Sequence, residues 1–290
     1  MPRRLDHVVH AVRDLDATAD FYRRLGFTVG ARNRHPWGTH NHIIQFPGCF
    51  LELLAVVEPE KLGSEPIAAL FGTFNRLFLK RQEGLSFVML ESGNAAADAA
   101  EFRASGIGVS DALRFEREGT RPNGSKVRVG FSMAFTRDPH APEIGFGVCQ
   151  QHSPGNFWTP DLQQHANGAT GIAGVVLVAE NPSDLHIFLS AFVGERELQA
   201  TSSGIIVPMP RGDIRVMNPA AFQLHFGVSP PDISIGPRFA AVRFAVHNGT
   251  ALLARTRGAD APVSMHMGAM VIPSHAAYGA TLVFEESKRG

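Results

Sequence analysis

The sequence predicts an α+β protein of four βαβββ modules, paired into two cup-shaped sheets. Three observations predict it. Residues 5–57 run strand, helix, then three short strands. The same order returns from Leu85, and shifting the chain so that Asp14 falls on Asn94 also places Gly26 on Gly106. It begins again at Gly171, with a last copy from Phe239. The expected organisation is a first pair over residues 1–150 that carries the candidate site, a linker over 151–170, and a structural second pair over 171–290.

Each element has a local reason. Residues 5–12 are apolar and β-branched, interrupted by His7 and His10, as suits a buried strand. Asp14 is placed to cap a helix over 15–25, whose Leu15, Ala19, Tyr22 and Leu25 recur at helical spacing, and Gly26 stands where a left-handed stop belongs. Strands are expected at 27–31, 40–46 and 49–56, broken by Pro36-Trp37-Gly38 and Pro47-Gly48. The apolar stretch IAALFGTFNRLFL suits a connecting helix packed on the first module.

In the second module, strand 85–90 leads to an alanine-rich helix over 95–104 opened by Asn94. Strands at 109–116, 126–135 and 144–149 follow, with a tight turn at Pro122-Asn123-Gly124. Residues 150–170 are rich in turn formers. The third module opens with GIAGVVLVAENPSDLHIFLSAFVG and has expected strands at 204–207, 213–217 and 221–226; the fourth ends in ATLVFEES.

Composition narrows the function. Of 290 residues, 44% are hydrophobic and 19% charged, which is globular rather than disordered, and long enough for two cores. A formal net charge of zero offers no field for nucleic acid or an acidic membrane. There is no apolar run of membrane-spanning length and no leader-like start. Two cysteines in separate strands suggest a reduced, cytoplasmic protein without a disulfide framework. No nucleophile motif, phosphate-cradling loop or dinucleotide fingerprint is present.

LDHVVHAVRDLDATADFYRRLGF, HPWGTHN and FLELLAV together resemble the vicinal oxygen chelate superfamily, and its glyoxalase-like branch in particular. That superfamily includes glyoxalase I, extradiol dioxygenases and bleomycin-resistance proteins. The resemblance implies a divalent metal (Zn, Fe, Mn or Ni) on the concave face of a cup, held by side chains of first and last strands. His7 falls at the first-strand position and Glu52 at the last-strand position of module one. A hydrogen-bonded core histidine and an edge carboxylate are the plainer account of the pair. A Glu among Phe50, Leu51, Leu53 and Leu54 is nevertheless costly to bury without compensation. In module two the matching positions hold Phe87 and Gly147, which cannot ligate. In the second pair Ala173, Ala240 or Ala241, Gln223 and Val283 stand near the corresponding places.

Further candidates surround this pair. His40 and His42 are candidate acid–base groups, since imidazole titrates near neutrality. Trp37, Asn41, Gln150, His152 and Trp158 are candidate substrate contacts, with residues 156–158 as a closing segment. Solvated histidines and an aromatic that anchors the linker account for them equally well. His40, His42, Gln150 or His152 would have to supply a further metal ligand. The expected activity is a metal-dependent lyase, isomerase or oxygenase acting on a small oxygenated compound. The alternative is a metal-free cup that sequesters a small molecule. The expected partner is that small molecule, with homodimerisation left open.

Overall fold

The structure is a computed structural model that describes residues 1–121, 124–247, 252, 253, 255, 256 and 261–286. In chain order the first half contains β1 (Leu5–Ala11), α1 (Leu15–Arg24), β2 (Asn33–Arg34), β3 (Thr39–Phe46), β4 (Cys49–Val56), α2 (Phe74–Arg81), β5 (Gly84–Glu91), α3 (Ala95–Ala104), β6 (Leu113–Thr120), β7 (Lys126–Thr136), β8 (Gly145–Gln151) and α4 (Pro154–Phe157). The second half contains β9 (Ala169–Val178), α5 (His186–Val193), β10 (Gln199–Thr201), β11 (Gly204–Pro208), β12 (Asp213–Met217), α6 (Pro219–Phe226), β13 (Arg238–Val246), β14 (Ser264–His266), β15 (Ala269–Ile272) and β16 (Thr281–Glu286). These strands form two eight-stranded mixed sheets, β2-β3-β4-β1-β5-β8-β7-β6 and β10-β11-β12-β9-β13-β16-β15-β14. The predicted fold class is the observed one.

The caps act as the sequence implies. Asp14 accepts from the backbone N–H of Ala17 at 2.9 Å and Asn94 from that of Ala97 at 3.1 Å. Gly26 and Gly106 then turn the chain at φ +86° and +73°.

Three elements differ from expectation. Residues 27–31 form no strand; the edge strand is the two-residue β2, because Gly30 caps the sheet edge with a single bond from its N–H to Ile43 O. The strand expected at 109–116 begins only at Leu113. The segment 221–226 is not a strand but the body of α6. Asn218 accepts from the Ala221 N–H at 2.8 Å, Pro219 takes the first turn and Gly227 stops the helix at φ +68°, so Gln223 is helical. The expected turn at Pro122-Asn123-Gly124 lies outside the described residues in its first two positions.

A continuous core joins the convex faces of the two sheets, with Phe27 and Phe46 of the first against Phe244 of the second. The concave faces have separate cores. The second cup is filled by Phe222 and Phe226 of α6, beside a buried charge network. There Arg243 bonds both oxygens of Glu285 and also Asp213, and Arg215 lies close to both acids. The first cup is lined by aromatic rings. Phe71 enters it from a π-helical segment, Ala68–Thr73, and Phe157 from α4.

Candidate active site

Side chains of a strand alternate between faces, so sheet register decides what reaches the cup. On β3 and β4 the inward set is Asn41 and Ile43 with Phe50 and Glu52, Ile43 standing opposite Glu52. On β1 it is His7 and Val9, and Val9 pairs with Glu52 in parallel register. These side chains border a cavity that His35, Trp37, Phe115, Arg117, Phe131 and Cys149 also line.

His7 and Glu52 meet there. Nδ1 of His7 donates to Asp6 Oδ1 at 2.6 Å, which turns Nε2 toward Glu52 Oε2, 3.8 Å away. Gln151 holds the other Asp6 oxygen at 3.0 Å. His7 stacks on Phe50 with ring centroids 4.3 Å apart. Asn41 donates to Glu52 Oε1 at 2.5 Å. Burial pushes the Glu52 carboxyl up, against the opposing pull of His7 and Asn41.

His35 approaches from the other side. Its Nδ1 is bonded to Thr39 Oγ1 at 2.8 Å, and its Nε2 lies 4.0 Å from Glu52 Oε1. Burial, with Arg117 the next cause, holds the His35 imidazole well below its ordinary pKa and hence neutral. Sequence reasoning placed His35 in the HPWGTHN group without giving it a ligand role. The turn in that motif is what swings it back over the sheet.

The pairing register explains module two. Phe87 stands opposite Gly145 and Met89 opposite Gly147, as His7 stands opposite Phe50 and Val9 opposite Glu52. Phe87 and Gly147 therefore occupy the places corresponding to His7 and Glu52. A Cβ on Gly145 would lie 2.1 Å from the Phe87 ring, so the glycine makes room for that ring.

Several expected site residues lie elsewhere. His40 and His42 do not line the cavity: they alternate with Asn41 and Ile43 and point to the opposite face. His40 donates to Glu58 at 3.0 Å and His42 to the carbonyl of Gly30 at 2.7 Å. Gln150 caps α3 by accepting from Ala95 N–H at 3.0 Å, and His152 bonds Ser132 Oγ at 2.8 Å. The inward residues of β8 are their odd-numbered neighbours. Trp158 packs on Phe50 at 6.0 Å and borders an adjacent cavity; Phe157 forms the wall instead. Trp37 and Asn41 do line the cup. Arg117 was missed, although EREG over 116–119 alternates outward glutamates with one inward arginine.

The donor set suits a cation. Nε2 of His7 and Oε2 of Glu52 are too far apart for a good hydrogen bond. Two coordination bonds of about 2.1 Å to one ion would nearly span them. The carboxylate behind His7 is the usual support of a metal-bound imidazole. Among the described residues, the triad of potential ligands whose atoms all lie within 4.8 Å of one another is Asp6, His7 and Cys149, all buried. In that group Asp6 already binds His7 and Gln151, and burial drives the Cys149 thiol strongly toward its neutral form.

No helix among the described residues is long and apolar enough to cross a membrane. No curated protein matches the sequence. Solved structures do match the fold. A hypothetical protein from Staphylococcus aureus aligns with 99% of this chain and 100% of its own at a TM-score of 0.69 and 14% identity. A mutant 4-hydroxymandelate synthase from Streptomyces coelicolor aligns over 100% of this chain and 94% of its own (TM-score 0.55, 10% identity). For 2,2',3-trihydroxybiphenyl 1,2-dioxygenase from Sphingomonas wittichii the shares are 99% and 91% (TM-score 0.54, 10% identity). The family model of the glyoxalase-like domain matches residues 5–193. The chain belongs to the glyoxalase-like branch of the vicinal oxygen chelate superfamily.

Proposed function

We propose that the first cup is the active site of a metal-dependent lyase, isomerase or oxygenase acting on a small oxygenated compound. The observation that carries this reading is the placement of two imidazole Nε2 atoms beside the two oxygens of one buried carboxylate. His7, His35 and Glu52 would hold the ion, a donor set suited to non-haem iron and acceptable to zinc, manganese or nickel. When bound, a divalent cation supplies Lewis acidity toward neighbouring substrate oxygens.

The protein's own groups do the rest. Asp6 and Thr39 fix the imidazoles through Nδ1, so neither ring has to be ordered on binding. Asn41 holds Glu52 in place. Phe50, Phe71, Phe115, Phe131 and Phe157 exclude water, which strengthens every electrostatic contact within.

The second reading, a metal-free pocket that sequesters its ligand, is favoured by Phe87 and Gly147, which remove the second module's ligands. Metal analysis of untagged protein separates the two. The expected result is about one equivalent of a divalent transition metal per chain, with most of it lost in Glu52→Gln while the circular dichroism is unchanged. A parent protein that binds no metal, or a Glu52→Gln variant that binds it as tightly, overturns the enzyme reading.

A further inference from the structure

Arg117 sits inside the first cup without a counter-ion. On β6 its neighbours Glu116 and Glu118 point outward and pair with Arg128 and Lys126, while Arg117 turns inward beside Phe115. It is 8% exposed. Its hydrogen bonds go to neutral oxygens only, Asn33 Oδ1 at 2.9 Å and the Glu118 carbonyl at 3.2 Å, and its buried Nε has no partner. Among the described residues no carboxylate lies within ion-pair distance of it. Glu52 acts on it only through the field across the cup. A buried charge is ordinarily paired, and a guanidinium left with an open donor is unusual enough to need a reason.

The surroundings describe the missing partner. Arg117 stands between two adjoining cavities, and both are lined by its side chain. One holds Glu52 and the aromatic wall; the other is more polar, with Asn33, Arg121 and Asn156 at its edge. Gly119, next inward residue on β6, puts no side chain beside the guanidinium. The ring of Phe131 lies 5.8 Å from Arg117 Cζ and stacks on Phe115 at 5.2 Å, and Trp37 meets Phe115 edge-on at 4.9 Å. The indole N–H of Trp37, on the same cavity wall, also lacks an acceptor. Flat rings fit such walls, and a planar fork of donors fits a carboxylate.

We infer that Arg117 is the anion-binding residue of the first cup and that the cup's ligand is a ring-bearing apolar compound carrying a carboxylate. The inference names the ligand class of the site proposed above and does not depend on its metal. Burial lowers the Arg117 pKa to about 10, which leaves the side chain charged at neutral pH.

The test uses the full chain, with binding followed through the combined fluorescence of Trp37 and Trp158. The probes are phenylacetate and its neutral methyl ester, which share the ring and differ in charge. The acid is expected to bind at least about tenfold more tightly than the ester, the effect of one charge-assisted contact. Arg117→Gln is expected to bind both equally weakly with its metal content unchanged, and Arg117→Lys to keep part of the preference. Equal affinity of the parent for acid and ester, or binding of neither, overturns the inference. So does an Arg117→Gln variant that keeps the preference, since the anion would then be held by something else. Should Arg117→Gln fail to fold, the parent's preference and the lysine variant still decide. A protein without metal that retains the Arg117-dependent preference would sink the enzyme reading and leave this one standing.

Discussion

Asp6 and His7 are consecutive in β1, yet their side chains meet: Oδ1 of Asp6 lies 2.6 Å from Nδ1 of His7. Neighbours on a strand normally point to opposite faces. Here the β1–β5 register slips between Leu5 and His7, leaving Asp6 out of the pairing, and its carboxylate locks the imidazole tautomer and leaves Nε2 toward Glu52. Asp6→Asn keeps the shape and removes the anionic acceptor. Metal affinity, read by competition with a chelator, is expected to fall about 10- to 100-fold with the fold retained. An unchanged affinity would show that His7 needs no such support.

His10, three residues on, faces the other way. Its Nε2 donates to the Tyr278 carbonyl at 2.8 Å and its Nδ1 accepts from Tyr22 Oη at 3.1 Å, and burial lowers its pKa to about 4. The unfolded chain, with an ordinary histidine, takes up the proton first as pH falls. Stability is therefore full above the ordinary value of 6.5 and is lost progressively as pH drops toward 4. The loss amounts to roughly 3 kcal/mol at most. Urea midpoints of the parent and His10→Gln between those pH values should converge on acidification; parallel curves would refute the assignment.

Gly145 and Phe87 share one space. With a Cβ 2.1 Å from the Phe87 ring, Gly145→Ala should cost about 1–3 kcal/mol through overpacking. Phe87→Leu in the same chain should recover part of it, giving a measurable coupling in a double-mutant cycle. Strictly additive losses would mean that the ring does not fill the place of that missing side chain.

Arg243 is buried at 2% exposure between Asp213 and Glu285. Arg243→Met strips both acids of their main partner and is expected to destabilise by about 3–5 kcal/mol in thermal or urea unfolding. Adding Asp213→Asn and Glu285→Gln should recover much of that loss. A mild effect of Arg243→Met alone would show that Arg215 suffices for both carboxylates.

The fold was legible because its signals are local. Asp14 and Asn94 before their helices, and Gly26 and Gly106 after them, repeat at one interval, and a cap needs only its own four residues to act. The site was half legible. His7 and Glu52 could be placed from position in the module, whereas His40, His42, Gln150 and His152 fell on the wrong face. Register within a sheet is set by the partner strand, and a single residue reverses every side chain. The odd-numbered neighbours, Asn41 and Cys149, line the cup. Arg117 was hidden because a charge run usually reads as a solvated strand. Only pairing with β7 shows which face of FEREG turns inward. The helix α6 was hidden by its apolar composition, although Asn218, Pro219 and Gly227 spelled a start and a stop.

Arg243 has one more consequence. In the second cup two guanidiniums, those of Arg243 and Arg215, balance two carboxylates, and all four are covalently part of the chain. That half carries its own positive charge from the ribosome onward and owes nothing to the ions around it. Glu52 in the first cup has Asn41 in contact, imidazoles beside it and Arg117 acting on it only from across the cavity, with no guanidinium within ion-pair distance among the described residues, so its charge balance is open to a proton or a cation from solution. One molecule thus joins a half with a fixed internal charge balance to a half whose balance is set by its medium. Chelation or acidification should be felt by the aromatic cup first, and pass the other by.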